Sequence, residues 1–341
     1  MPCPPNTSPS VVIHTGKCYP LRVTVATSAS EKARFHKITT ENIMNSIEYI
    51  DRKTGNILRE IVPGEQWLKW LYHNPVGKLA LHAVVKRKFL SAWYGSKMDT
   101  PASRDKIPSF VTSLRIDMDE ALRPVDDYAT FNDFFIRELK PEARPVDAAP
   151  DSIVSPADGK VLAFEGIGGL ESFFVKGRSF SLEKFLGNDA LAGKYAGGAL
   201  LIIRLAPVDY HRFHFPANGR ISASTSMDGA YYSVSPHAVR EKLSIYWENK
   251  REYSTLQTEY AGDILLCEVG ATMVGTIVQS YTPETEIRKG QEKGWFKFGG
   301  STVIALLEKG KAAIDADIIA NTKKGYETGI RMGERLASAC R

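Results

Sequence analysis

The chain is 341 residues long, with 43% hydrophobic and 24% charged residues and a formal net charge of +5. That is enough chain for one large domain or two smaller ones, with the composition of a soluble globular protein and a sizeable core. The charge is mildly basic, but no arginine-rich tract or nucleic-acid module accompanies it, so nucleic acid is not indicated as a partner.

Residues 1–45 are rich in Ser, Thr, Pro and Lys and read as a loose extension. Their longest apolar run, Val11-Val12-Ile13, is too short for a signal-peptide core, and no stretch of the chain reaches bilayer-spanning length. Met44 is an alternative start. Cys3, Cys18, Cys267 and Cys340 show no CxxC spacing and read as reduced and incidental.

From Gln66 to Met98 the chain carries Trp67, Trp70, Tyr72, Phe89, Trp93 and Tyr94 among Lys69, Lys78, Lys86, Arg87, Lys88 and Lys97, without a single acid. Apolar residues recur at three- and four-residue steps, which predicts amphipathic helices broken near Pro75 and Gly77. Aromatic and basic residues without acids suit a helix lying on an anionic membrane surface. A helix packed on the core with a solvated basic face has the same composition. A short helix is predicted from Thr130, a possible N-cap, to Leu139, with Pro141 ending it.

After Pro145 the pattern turns to strands: Val161–Phe164, Phe173–Val175, Leu200–Leu205, Ile221–Ser226, Glu252–Tyr260, Ile264–Val269, Met273–Ser280 and Thr302–Leu307, punctuated by Gly and Pro. A helical part followed by a β-rich part gives the α+β class rather than alternating βαβ. The division expected is an extension over 1–45, a helical, membrane-associating region over 46–145 and a β-rich domain over 146–341.

Three segments in the β-rich part bear chemistry. Ser155-Pro156-Ala157-Asp158-Gly159-Lys160 puts an acid in a tight turn before a strand; Asp158 there is either a turn aspartate or a catalytic one. Asp209-Tyr210-His211-Arg212-Phe213-His214 follows a buried-strand run, where loops commonly place functional groups. In a pure strand His211 and His214 would point to opposite faces, so a turn near Tyr210 is needed to bring both inward. As HxxH they could be metal ligands, but no third ligand stands at a familiar spacing, so no metal is expected. One of them could instead be a core histidine. Finally, Gly299-Gly300-Ser301 interrupts two β-prone runs. It is a bulge or turn, unless the Ser301 hydroxyl is activated toward the Gly300 carbonyl by a base from elsewhere.

Taken together these motifs resemble the phosphatidylserine decarboxylase family of self-cleaving, pyruvoyl-dependent enzymes. The similarity runs from about Tyr49 to the C-terminus and includes Phe131-Asn132-Asp133-Phe134-Phe135-Ile136-Arg137-Glu138-Leu139-Lys140-Pro141-Glu142-Ala143-Arg144-Pro145, Glu268-Val269-Gly270-Ala271-Thr272-Met273-Val274-Gly275 and Arg331-Met332-Gly333-Glu334. The resemblance implies antiparallel sheets of barrel-sandwich type. It implies cleavage between Gly300 and Ser301 into a β chain 1–300 and an α chain 301–341, with Asp158, His214 and Ser301 as the charge relay. Ser301 becomes a pyruvoyl group that takes phosphatidylserine as a Schiff base, without pyridoxal phosphate; His211 is the acid or base of the decarboxylation. Phosphatidylethanolamine and CO2 are the products. Tyr232, Ser233 and Ser235 match the stretch that lines the headgroup, although ordinary strand-end packing fits them too, and Ser235-Pro236 stands where relatives often carry Asn-Pro. The implied protein is a heterodimer of its two chains, open to further assembly as a higher homo-oligomer, and peripheral on the cytoplasmic face of the cell membrane. Outside this reading stand a pyruvoyl enzyme for another serine-headed lipid or an amino acid, and a membrane-binding β module that never cleaves.

Overall fold

The computed structural model describes residues 47–61, 95–167, 174–175, 178–271 and 276–340. Its backbone is an eleven-stranded sheet whose order runs Thr285–Ile287, Gly219–Ile221, Arg251–Thr258, Asp263–Val269, Ser301–Leu307, Ala199–Leu205, Gly159–Glu165, Glu327–Ile330, Glu48–Asp51, Ile57–Arg59. Thr225–Met227 pairs with the near end of Arg251–Thr258. Every pairing in this sheet is antiparallel except that of Glu48–Asp51 with Glu327–Ile330.

The central strands are apolar on both sides because both faces of the sheet are covered. In Ala199–Leu205 and Ser301–Leu307 every residue is buried. Ile203, Val303 and Leu266 face a core completed by Phe213, Phe215, Phe296 and Leu336. Ile202, Ile304 and Leu265 face the other side, where Leu182, Phe185, Leu186, Tyr195 and Tyr246 from short helices cover them. Each fully buried Leu, Ile or Val contributes about 1.5–3 kcal/mol of transfer free energy, which makes these rows the main stabilising element.

The order of strands is a mixed but mainly antiparallel β architecture. It is open, ending at Thr285–Ile287 and Ile57–Arg59, so the barrel expected from family resemblance is not closed among the described residues. The helical character expected for 46–145 is met in part. Ile107–Leu114 and Phe131–Phe135 are helices, but Glu48–Asp51 and Ile57–Arg59 are strands of the large sheet. The aromatic and basic stretch lies outside the described residues up to Tyr94. Thr130 does cap the Phe131–Phe135 helix, its side chain accepting from the Asp133 amide, but the helix stops short of Leu139.

Other strand expectations fail at their edges. The single strand expected over Ile221–Ser226 is two, Gly219–Ile221 and Thr225–Met227. Ser222 causes the break: its Oγ, rather than its carbonyl, accepts from the Thr255 amide at 3.0 Å, and the chain steps out of the ladder. Sequence reading also missed Arg212–His214, Glu292–Phe296 and Ile277–Gln279 as one sheet, the last having been expected within a longer strand. That small sheet matters because it carries His214.

Candidate active site

Ser301 opens its strand, paired with Leu205 in the neighbouring one. The preceding Gly299 has φ 138°, a backbone conformation that favours glycine, and this sets the chain turning into the strand. A Cβ built on Gly300 would meet only Val234 Cγ2, at an ordinary contact distance of 3.5 Å. The segment is braced from the other side by the Phe131–Phe135 helix. Asn132 Oδ1 accepts from the Phe298 amide at 2.9 Å, and the Phe298 ring packs edge-on against Phe131 and Phe135.

His211 stands directly over the serine, with Nδ1 3.3 Å from Ser301 Oγ. Its other nitrogen is 3.1 Å from the Ala206 carbonyl oxygen, which fixes Nε2 as the protonated position and leaves Nδ1 to accept from the hydroxyl. Phe135 stacks on the ring at 3.9 Å between centroids, and both His211 and Ser301 are fully buried. Burial pushes the His211 pKa down to about 3, and the positive charge of Arg137 adds to the effect. The imidazole is therefore neutral across the physiological range.

The turn that brings both histidines inward comes slightly earlier than expected, before Tyr210, and Arg212–His214 resumes as a strand. His214 is buried too, but it does not touch Ser301. Its Nδ1 lies 3.0 Å from the Gly290 carbonyl oxygen and its Nε2 3.3 Å from the Tyr210 hydroxyl, with the Tyr210 ring stacked alongside. Burial lowers its pKa as well, while the Gly290 carbonyl and the charges of Glu292 and Asp158 oppose that.

Asp158 is held by neither histidine. Arg144 grips it in a fork, Nε to Oδ1 at 2.8 Å and Nη2 to Oδ2 at 2.6 Å, and the Met332 amide donates to Oδ1 at 2.8 Å. Arg144 also pairs with Glu120 at 2.9 Å. Gly159 next to it is required by packing: a Cβ there would stand 2.4 Å from the Arg204 carbonyl oxygen. The structure thus unites His211 with Ser301 and His214 with Tyr210, and leaves Asp158 on Arg144.

The Tyr232–Ser235 segment lies against Gly300 through Val234. Ser235 caps the Pro236–Glu241 helix, accepting from the Ala238 amide, and Ser233 Oγ accepts from the Ser235 amide at 3.1 Å. Both hydroxyls therefore have local structural tasks. Among the described residues no group of three or more His, Cys, Asp or Glu could hold a metal ion, and no helix is long and apolar enough to cross a membrane. Cys267 and Cys340 are free.

Sequence reading missed Asn132, Phe135, Arg144 and Tyr210 as site components. Their signal was present, since three of them lie within Phe131–Pro145 and Tyr210 adjoins His211. Nothing in a linear pattern shows what a side chain will touch.

The two depressed histidines have a consequence for stability. A histidine whose folded pKa lies below its unfolded value of about 6.5 contributes stability above that pH, lost as pH falls toward the folded value. For His211 the window runs from pH about 6.5 down to about 3. Urea unfolding of the uncleaved Ser301→Ala chain should show stability declining through that window, and adding His211→Gln should flatten the decline.

A buried serine at the head of a strand, after two glycines and hydrogen-bonded to a neutral imidazole, defines a protein equipped to activate a hydroxyl beside a backbone carbonyl. The comparisons narrow that class. The sequence model of the family described as phosphatidylserine decarboxylase matches residues 131–338. A phosphatidylserine decarboxylase proenzyme of Fusobacterium nucleatum is 57% identical over 292 residues, 86% of this chain and 97% of that protein. Proenzymes of the same name from Desulfitobacterium hafniense and Clostridium botulinum are 46% and 44% identical, each covering at least 85% of this chain and 97% of the relative. The chain belongs to the phosphatidylserine decarboxylase family.

The residues present fit the pyruvoyl group that such a proenzyme generates. Ser301 is buried, its hydroxyl has an acceptor at 3.3 Å, and the residue before it is a glycine whose added Cβ would meet Val234 at an ordinary contact distance.

Proposed function

We propose that the chain cleaves itself between Gly300 and Ser301 and that the product decarboxylates phosphatidylserine to phosphatidylethanolamine. The observation that carries this reading is the Ser301–His211 contact at a Gly-Gly-Ser junction, in a chain that matches the family over most of its length. Ser301 Oγ attacks the Gly300 carbonyl carbon, its proton passing to an imidazole, and the peptide C–N bond breaks in favour of an ester. Loss of the Ser301 α-proton expels Gly300 as a carboxylate; water then replaces the nitrogen, which leaves as ammonia. The pyruvoyl group left at residue 301 supplies the electron sink for decarboxylation.

His214, oriented by Asp158, is the base for self-cleavage in this reading, and His211 holds the proton that returns to the substrate carbon. For that relay to form, Asp158 must leave part of its Arg144 fork, and His214 must exchange Tyr210 for Ser301. The 3.3 Å contact favours a second reading in which His211 is the base for both steps. Tyr232, Ser233 and Ser235 line the headgroup on the Val234 side of Gly300. The cleaved protein is a heterodimer of chains 1–300 and 301–341. Mass spectrometry of purified protein tests the reading: two chains, with a pyruvoyl N-terminus at 301, and CO2 released from phosphatidylserine vesicles.

We also place the protein at the cytoplasmic membrane surface as a peripheral protein, on the composition of Gln66–Met98. Each Lys or Arg near an anionic surface is worth about 1 kcal/mol, less as salt rises. Replacing Lys86, Arg87 and Lys88 by Gln should weaken binding to anionic vesicles on the order of a hundredfold at low salt, while self-cleavage persists. Co-sedimentation checks this, and binding unchanged in the triple variant returns the segment to a core-packing helix.

A further inference from the structure

Arg137 is a buried cation without an anion. It is 4% exposed, and its Nε and Nη1 have no hydrogen-bond partner. Its Nη2 lies 3.4 Å from the Val208 carbonyl oxygen, the long limit of a hydrogen bond, and its guanidinium carbon is 5.2 Å from the Phe134 ring centroid. Every other buried cation among the described residues is provided for. Arg204 has Glu60 and Glu327, Lys293 has Glu268, Lys160 has Asp209, and Arg251 donates to the carbonyls of Phe185, Trp247, Asn249 and Lys184.

The carboxylates near Arg137 are committed elsewhere. Asp158 is held by Arg144 and the Met332 amide, and Asp209 by Lys160 and the Ala206 amide. A guanidinium taken out of water without a counter-ion is costly, so a fold that keeps one has a use for it.

Arg137 also borders open space. It lines a cavity of about 260 Å³ together with Asp158, Lys160, Asp209 and Tyr210. Tyr210 connects that cavity to His214 through its hydroxyl, and the Arg137 charge bears directly on His211. Neither imidazole lines the cavity itself: Tyr210 in its wall touches His214, and Arg137 lies two residues along the chain from Phe135, which stacks on His211. The cavity's size suits a polar headgroup and leaves acyl chains outside.

We propose that Arg137 is the receptor for a substrate oxyanion, the phosphodiester or the carboxylate of a serine-headed phospholipid, bound in this cavity, which is separated from His214 by Tyr210. The guanidinium fork matches either group with paired, charge-assisted hydrogen bonds. The assignment to a lipid headgroup rests on the decarboxylase reading; the oxyanion receptor itself does not.

The test begins without turnover. The uncleaved Ser301→Ala chain is melted in chloride, inorganic phosphate and acetate at matched ionic strength, alone and with Arg137→Met. Methionine keeps an apolar stem over Phe134 and removes the unpaired charge, so this variant should melt at or above its parent in chloride. Phosphate should raise the parent's midpoint and leave that of Arg137→Met unmoved, because an anion that binds only the folded state stabilises it. A response to acetate in place of phosphate assigns the carboxylate rather than the phosphodiester. No response of the parent to either anion, a response that survives in Arg137→Met, or failure of that variant to fold overturns the proposal. In otherwise wild-type, self-cleaved enzyme, Arg137→Met should raise KM for short-chain phosphatidylserine about ten- to hundredfold, the range for a lost hydrogen bond to a charged group. An unchanged KM beside a lost anion response shows that the oxyanion is not the substrate's and also overturns it. If no phosphatidylserine turnover is found even in the wild type, the decarboxylase reading fails while the melting experiment still decides the receptor.

Discussion

Replacing Ser301 by Ala is expected to leave a single uncleaved chain with no measurable decarboxylase activity. The alanine keeps the backbone of the Ser301–Leu307 strand and its pairing with Leu205, so the fold should survive. What is lost is the hydroxyl that the proposed cleavage uses to take the Gly300 acyl group, and with it the proposed electron sink. The rate should fall by at least about 10⁶-fold, the lower end of enzymatic acceleration. Denaturing electrophoresis and intact mass settle the cleavage, and release of CO2 from phosphatidylserine settles the turnover. Wild-type protein that decarboxylates while remaining one intact chain would mean that the pyruvoyl chemistry is wrong.

The second large effect separates the histidines. His214→Ala should stop cleavage and therefore all activity. His211→Ala should still cleave but lose about 10²- to 10⁴-fold in decarboxylation, the usual contribution of a general acid or base. The two variants differ sharply in environment, which makes the comparison informative. His211 sits 3.3 Å from Ser301 under the Phe135 ring, whereas His214 is held by Gly290 and Tyr210. If His211→Ala remains a single chain while His214→Ala cleaves, the observed contact describes the self-cleavage step as well, and His211 is the base throughout.

The Arg144 fork on Asp158 bears on the same question. A carboxylate gripped by a guanidinium at 2.6 and 2.8 Å and by a backbone amide is poorly free to orient an imidazole. In the relay reading this arrangement is a precursor state that rearranges before cleavage. In the second reading Asp158 serves to fix Arg144 and the turn at Gly159, and its effect on cleavage is indirect.

The candidate site residues were legible in the sequence as unusual local patterns, and the family resemblance chose among the readings each pattern left open. Gly299-Gly300 before Ser301 breaks a β run, and the acid in Ser155–Lys160 occupies a turn. The two histidines follow a buried strand that was itself readable, since Ala199–Leu205 is buried at every position and apolar at all but Arg204. The central strands were found for the same reason: a sheet covered on both faces writes its burial into every residue. The Thr130 cap was readable because capping is a contact between residues three apart.

What only the tertiary structure decided were contacts between distant segments. Short strands such as Arg212–His214 carry too few residues to show a period, and they exist because Glu292–Phe296, far along the chain, supplies their hydrogen bonds. The partners of each site residue are equally non-local: Arg144 for Asp158, Gly290 for His214, Phe135 and Ser301 for His211. Residue type fixes what a side chain can donate, accept or take up as charge. Which of those capacities is used, and at what pKa, depends on burial and on neighbours brought in by chain folding, and no local pattern encodes either.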